Sequence, residues 1–310
     1  MDKYKNNSCC IGALDIGGTK ISVGITDESG KPLASEKIKT EKDPEAAMRT
    51  AAGYLRDMSE LKGMRLEAIG VSCAGPVDTV TGRVNNPYTL PGWEEFPLTE
   101  RLSELSGLPV KLENDANCAL LGEVCRSELQ KKRVLMISIG TGIGCAFWDG
   151  ESFYRTGKKY HPELGHVLIG TNRKPSEKCY CGHYSCVENL LSGTALHKRA
   201  QDAGFRDFGD LTETYFSAFH RQKTAAELFI RDIKAELYSA LWNYSLIFHP
   251  DNIVLAGGMA LAYYSFFEDI CRSFLEDVAD RGDFIPAFKL SCAGDGEDTA
   301  LTGAAMLWRI

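Results

Sequence analysis

Two stretches of this chain alternate apolar runs and glycine turns on one plan. Ile11-Gly-Ala-Leu-Asp15-Ile-Gly17-Gly18-Thr19-Lys20-Ile-Ser-Val-Gly-Ile25 reads as a β-rich run, a tight turn and a second β-rich run. Val134-Leu-Met-Ile-Ser-Ile-Gly140-Thr141-Gly142-Ile-Gly144-Cys-Ala-Phe147 repeats that plan later in the chain. The pattern predicts strands over 9–15, 21–27 and, after the turn Glu28-Ser29-Gly30, 31–40. A helix follows with Asp43 as N-cap and Pro44 in its first position, carrying Ala46, Ala47, Ala51 and Leu55 on one side. A strand over 66–73 ends at Ala74-Gly75-Pro76, and a loop rich in Asn, Pro and Gly runs over 81–97. Then come a helix over 98–106, a short strand over 110–113 and a helix over 116–127.

The second half restarts with strands over 134–139 and 145–149, followed by an irregular stretch over 160–186. Thr224-Ala-Ala-Glu227 has the form of a capping box, and Leu228, Ile233, Leu237, Ala240, Leu241 and Tyr244 follow helical spacing behind it. His249-Pro250 stops that helix. A strand over 251–256 then meets a third glycine turn, Gly257-Gly258, with helices from Ala260. Each half is strands first, then alternating helix and strand. That order predicts an α/β protein of two domains, 1–115 plus 298–310 and 116–297, hinged near 113–116.

Composition narrows the function classes. A chain of 310 residues can bury two cores, and 44% hydrophobic with 25% charged residues is ordinary for a globular protein. The net charge of -7 argues against nucleic acid as a partner. No run approaches the roughly 18 apolar residues of a membrane span, and the first residues are polar, so a cytoplasmic protein without membrane contact is expected. Of eleven cysteines, Cys9, Cys10, Cys73, Cys118, Cys125, Cys145 and Cys292 sit in apolar or small-residue surroundings and read as buried free thiols. Cys179, Cys181 and Cys186 are crowded together, which in a reducing compartment suggests a metal.

Three groups could carry chemistry. Consecutive free N–H groups in a glycine turn make an anion-binding concavity, so the paired turns suit a polyphosphate, although neither fits the P-loop or the Rossmann fingerprint. Glu113-Asn114-Asp115-Ala116-Asn117 stands where a strand hands over to a helix. There Asp115 is either a base for an attacking hydroxyl or a helix cap. His166 with Cys179, Cys181 and Cys186 supplies three thiolates and an imidazole, a tetrahedral zinc set of the closed, structural kind. His183 is a rival fourth ligand, and reduced, metal-free cysteines are the plainer alternative.

Asp15-Ile-Gly17-Gly18-Thr19-Lys20, Glu113-Asn114-Asp115-Ala116-Asn117, Gly140-Thr141-Gly142-Ile143-Gly144, Glu163-Leu164-Gly165-His166 and Cys179-Tyr180-Cys181-Gly182-His183-Tyr184-Ser185-Cys186-Val187-Glu188, with Ser192-Gly193, resemble in order the ROK family of sugar kinases and repressors. The resemblance implies an actin-like ATPase fold, two ribonuclease-H-type α/β domains around an ATP cleft. It implies Asp115 as the base on the sugar hydroxyl, and Asn114, Glu163, His166 and Glu188 as sugar contacts. His166 would double as zinc ligand with Cys179, Cys181 and Cys186. Gly17, Gly18, Thr19 and Lys20, with Gly140, Thr141 and Gly142, would hold phosphates. Asp15 would lie near magnesium, and Gly257 and Gly258 against the adenosine.

The chain departs from the family's glucokinase-like pattern at three points. His161-Pro162 stands where Ala-Gly is usual, Cys145-Ala146 where further glycine is usual, and Ser185 where glycine precedes the last cysteine. An imidazole and a proline before Glu163 imply a tighter pocket there. The implied activity is ATP- and magnesium-dependent phosphorylation of a hexose, glucose first, with fructose or mannose and N-acetylhexosamines as alternatives. The implied assembly is a homodimer. The family's repressors carry a helix-turn-helix ahead of the first strand, and only eight residues precede Cys9, so the regulator reading is disfavoured.

Overall fold

A computed structural model describes residues 8–157, 161–171, 175–217, 221–281, 284–294 and 299–310. Positions 1–7, 160 and 298, which begin or end expected segments, lie outside the described residues. The chain begins with β1 (Cys9–Ile16), β2 (Lys20–Thr26), β3 (Pro32–Lys39), α1 (Pro44–Lys62), β4 (Arg65–Cys73), β5 (Val77–Asp78) and β6 (Arg83–Val84). It continues with α2 (Leu98–Ser106), β7 (Val110–Asn114), α3 (Asp115–Arg126), β8 (Val134–Ile139), β9 (Ile143–Trp148), α4 (Val187–Leu191) and α5 (Gly193–Asp202). It ends with α6 (Phe208–Phe216), α7 (Lys223–Phe248), β10 (Asn252–Ala256), α8 (Gly258–Ala262), α9 (Tyr264–Val278), β11 (Lys289–Cys292) and α10 (Thr299–Met306).

Two compact units result: Met1–Lys131 with Ala146–Pro162 and Gly294–Ile310, and Lys132–Cys145 with Glu163–Ala293. The expected cut at 115/116 thus differs from the observed partition, which keeps α3 in the first unit. The reason is steric intimacy between α3 and α10. A Cβ on Gly303 would stand 1.7 Å from the Cys118 carbonyl oxygen, and one on Gly122 would stand 2.1 Å from the Thr299 carbonyl oxygen.

In the first unit the sheet order is β3-β2-β1-β4-β7. The β1–β2 and β2–β3 pairs are antiparallel, while β4 runs parallel to β1 and β7. Leu14, Ile16, Ile21, Val23, Ile25, Ile69 and Val71 meet Met48, Ala51 and Leu55 of α1 and Leu98 and Leu102 of α2 in one buried core. The other face is kept low by small residues: a Cβ on Gly70 would meet the Ala304 carbonyl oxygen at 1.8 Å. Helix α1 starts and stops as its sequence predicts, with Asp43 accepting the Glu45 N–H and Gly63 left-handed at φ 64°.

The second unit carries the sheet β11-β10-β8-β9, with β8, β10 and β11 parallel. Every residue of β10 is buried, as in a strand covered on both faces. Helix α7 corrects one expectation. It begins at Lys223, so Thr224 already lies inside the first turn, and Gln222, the N-cap, makes no side-chain cap bond. Leu228 is exposed while Phe229 and Ile230 are buried, an offset of the apolar stripe; Ile233, Leu237, Ala240, Leu241 and Tyr244 face inward. His249 ends the helix in a left-handed conformation, φ 43°. Of the thiols expected to be buried, Cys292 on the edge strand β11 is exposed, and Cys9 and Cys125 are half-buried. Among the described residues no helix is long and apolar enough to cross a membrane.

The contact of α3 with α10 makes a stability test. Gly303→Ala must push apart two backbones, so it should destabilise the protein by at least about 2 kcal/mol in urea unfolding. A midpoint equal to that of the native protein would mean the two helices are not in close contact.

Candidate active site

The first group of predicted residues gathers in the first unit. Asp15 ends β1 and is half-buried; Ser72 on β4 donates its hydroxyl proton to Asp15 Oδ1 at 2.7 Å. In the glycine turn the Gly17 N–H is used by the hairpin itself, donating to the Lys20 carbonyl at 3.0 Å. Gly18, Thr19 and Lys20 are exposed. Glycine at position 18 answers to a close approach: a Cβ there would stand 2.5 Å from the Thr89 carbonyl oxygen.

At the β7–α3 junction the geometry bears on the capping reading of Asp115. Asn114 is the N-cap, its Oδ1 accepting the Ala116 N–H at 2.9 Å, and Asp115 is the first helical residue. Asp115 Oδ1 also accepts that N–H at 2.8 Å, but the cap does not depend on it. Solvent reaches Asp115. Even so, the protein around its carboxyl removes enough water to raise its pKa, and the Asp15 carboxylate adds to the rise. The Ala116 N–H, His161 and Asn114 oppose that rise. Asp15 is likewise raised, first by burial, with the Ser72 hydroxyl and Lys20 opposing. Behind the pair, burial raises the Cys73 and Cys118 thiols far above their ordinary value, and the nearby carboxylates push the same way. They stay neutral.

Glu113 holds the junction in place. Its Oε1 accepts the Asn114 N–H at 2.8 Å and the Asn117 amide at 3.0 Å, and Arg155 pairs with its other oxygen. The Glu113 side chain is 3% exposed, so the Arg155 partner is what makes a buried charge tolerable there. Arg155 and Ser72 were not expected from sequence, nor was the place of His161 beside Asp115. Each lies far along the chain from what it touches, and none belongs to a periodic pattern.

The second group gathers in the second unit. Gly140 N–H donates to the Gly142 carbonyl at 3.0 Å, and the Gly193 N–H donates to the Gly140 carbonyl at 2.8 Å. Glu188, in the first turn of α4, places Oε2 at 2.9 Å from the Ile143 N–H. A Cβ on Gly142 would stand 2.7 Å from the same oxygen. The turn therefore already holds a carboxylate on one flank, while a Cβ at Gly140 would meet nothing within 4 Å. Gly257, φ 86°, turns β10 into α8, and Gly258 is exposed.

The cysteine loop is closed by backbone pairing. Ile169 N–H donates to Ser185 and Val187 N–H to Val167, drawing His166 and Cys186 together. The buried Tyr244 hydroxyl donates to the Leu164 carbonyl at 2.8 Å and fixes the 3-10 turn that carries His166. One donor atom from each of His166, Cys179, Cys181 and Cys186 falls within 4.8 Å of the others. Cys181 and Cys186 sulfurs are 3.8 Å apart, and Cys179 Sγ is 3.7 Å from His166 Nδ1. Zn–S bonds of about 2.3 Å in a tetrahedron give an S···S edge of about 3.8 Å, so the donor set fits a four-coordinate zinc. His183 is not in the cluster; its carbonyl accepts the Cys179 N–H at 2.9 Å.

With Nδ1 turned to the thiols, His166 Nε2 meets the Tyr180 hydroxyl at 2.8 Å. Burial raises the Tyr180 phenol's pKa, and the negative charges of Glu188 and Glu163 nearby add to the rise. Glu163, His166 and Glu188, three of the predicted sugar contacts, are thus brought together around a residue the sequence pattern did not single out.

Comparisons with known proteins bear on the fold and the class of activity. A profile of the ROK family matches residues 11–310, and the chain belongs to that family. The glucokinase of Thermotoga maritima is 28% identical over 312 residues, covering 95% of each protein. A ROK hexokinase structure from Thermus thermophilus aligns with a TM-score of 0.77 at 30% identity, covering 96% of this chain and 97% of that one. A ROK glucokinase structure from Streptomyces griseus, in complex with glucose and AMPPNP, aligns with a TM-score of 0.70 at 26% identity, covering 96% and 98%. Together these define the actin-like ATPase fold and a carbohydrate kinase.

The raised Asp115 carboxyl has a consequence for stability. Folded Asp115 binds a proton more readily than its unfolded counterpart, whose ordinary pKa is 3.8. Between the two values stability falls as pH rises, and above the native value the full penalty remains. Asp115→Asn, neutral at every pH, should therefore melt above the native protein at neutral pH and lose that advantage below about pH 4. A lower melting temperature for the variant at neutral pH, by calorimetry, would show that the ionised carboxylate is stabilising.

Proposed function

We propose that this protein is an ATP- and magnesium-dependent hexose kinase that transfers the γ-phosphate to O6 of glucose or a close relative, with Asp115 as general base. The carrying observation is the Asp115 carboxyl, open to solvent at the start of α3, with its pKa raised and its helix already capped by Asn114. As the phosphorus–oxygen bond forms, the hydroxyl proton passes to Asp115, and ADP leaves with the electron pair of the broken bond. Phosphoryl transfer asks for positioning, a base and charge stabilisation. A base with a raised pKa is a stronger proton acceptor than an ordinary carboxylate. Asn114, Glu163, His166 and Glu188 hold the sugar in this reading.

Gly17, Gly18, Thr19 and Lys20, with Gly140, Thr141 and Gly142, line the phosphates, and Gly257 and Gly258 the adenosine. Asp15, oriented by Ser72, stands by the magnesium, which supplies charge neutralisation on the phosphates. His166, Cys179, Cys181 and Cys186 hold a structural zinc that fixes the imidazole. The compatible donor geometry supports this. The S. griseus structure with glucose and AMPPNP supports ATP and glucose. A cytoplasmic homodimer belongs to the reading on the family resemblance alone.

Two measurements test it. With ATP, magnesium and a panel of glucose, mannose, fructose and N-acetylated hexosamines, glucose should give the highest kcat/KM. Asp115→Asn should lower kcat on the order of 10²–10⁴-fold. Wild-type turnover in that variant moves the base elsewhere. Purified protein should carry one zinc per chain, and Cys181→Ser should lose both the zinc and sugar binding. Stoichiometric zinc with full activity in Cys181→Ser would remove that cysteine from the ligand set.

A further inference from the structure

Tyr180 is the residue of the second unit that the kinase chemistry leaves unused. It sits between Cys179 and Cys181, so its backbone is held by the donor cluster, yet its side chain is free of the core. The residue is 83% exposed. What fastens the ring is an edge contact with the His166 ring, centroids 4.8 Å apart, and the 2.8 Å hydrogen bond between its hydroxyl and Nε2.

An imidazole has one ligand-facing nitrogen once the other is committed. Nδ1 is turned toward Cys179 Sγ at 3.7 Å, which leaves Nε2 for a partner. A phenol and a sugar hydroxyl offer Nε2 the same donor-acceptor group, and the nitrogen accommodates only one of them. The Glu163 and Glu188 carboxylates, which suit sugar hydroxyls, lie near enough to the phenol to act on its charge. Resting on the reading of Glu163, His166 and Glu188 as sugar contacts, we propose that Tyr180 is an internal competitor that occupies the sugar-hydroxyl position on His166 and must swing out before a hexose binds.

Swinging out exposes little apolar surface, because the ring is already in solvent. The cost is the hydrogen bonding of its hydroxyl to His166 and Glu188 and one edge contact. Apparent affinity for sugar is then the intrinsic affinity reduced by the fraction of molecules whose Tyr180 is away from His166. The device raises the hexose concentration at which the enzyme fills, without touching the base or the phosphate turns. It also discriminates, since a sugar able to replace the phenol on Nε2 gains what one lacking that hydroxyl cannot.

Calorimetric titration of zinc-loaded protein with glucose tests this. Tyr180→Phe keeps the ring and loses the hydroxyl. Its glucose Kd should fall about two- to ten-fold, the equivalent of one net hydrogen bond. Tyr180→Ala should fall at least as far, with zinc content equal to the native protein in both. If either variant binds glucose more weakly, Tyr180 is a sugar ligand and the proposal is overturned. An unchanged Kd in both, or loss of zinc from Tyr180→Phe, overturns it too, by making the residue a spectator or a structural prop. Should the native protein bind none of glucose, mannose, fructose or N-acetylglucosamine, the sugar-kinase reading falls first and this one with it. Native binding without any gain in the variants sinks the Tyr180 proposal alone.

Discussion

The Glu188 carboxylate is the constraint on which the second unit's site depends. One oxygen takes the Ile143 N–H at 2.9 Å, and the other receives the Cys179 thiol at 3.8 Å. A single side chain thus ties the glycine turn after β8 to the cysteine loop. A charged acceptor on a backbone donor is among the stronger hydrogen bonds available. Its position also explains the glycine opposite, since any Cβ on Gly142 would collide with it. The cysteine loop has few apolar residues of its own. What holds it is this carboxylate, the pairing of 167–169 with 185–187, and the convergence of four metal-type donors.

The first unit solves an opposite problem, too much negative charge in one place. Asp15 and Asp115 repel each other, and each has its carboxyl raised by burial. Ser72 and Lys20 relieve the first; the Ala116 N–H, His161 and Asn114 relieve the second. Glu113 adds a third carboxylate nearby and is answered by Arg155. The thiols of Cys73 and Cys118, held neutral, fill space behind the pair without adding charge. Clusters of carboxylates whose environments shift them in this way are concentrated at functional sites.

What the sequence revealed followed physical periodicity. The alternation of apolar runs and glycine turns located β1, β2 and β8. Asp43-Pro44 marked the start of α1, and the spacing of His166, Cys179, Cys181 and Cys186 marked the donor cluster. What stayed hidden depended on contacts between distant segments. Arg155 reaches Glu113 across forty-two positions, and Ser72 reaches Asp15 across fifty-seven. The short helices α4 to α6 lack a long apolar stripe. The capping box at Thr224 failed because the helix starts at Lys223. Cys292 misled because an edge strand exposes residues that a central strand would bury.

Sugar choice turns on what stands around the predicted sugar contacts. His161-Pro162 was expected to crowd the pocket beside Glu163. Pro162 closes the middle segment of the first unit, and Glu163 opens a segment of the second. His161 stands by the Asp115 carboxyl, with its ring 3.8 Å from where a Cβ on Gly75 would lie. Near the predicted sugar contacts, Tyr180 turns its hydroxyl to His166 Nε2. Under the Tyr180 proposal, selection works by exchange of one hydroxyl for another. A hydroxyl-for-hydroxyl exchange rewards a sugar that matches the phenol's hydrogen bonding and gives no advantage to an apolar substituent, however well it fits the space.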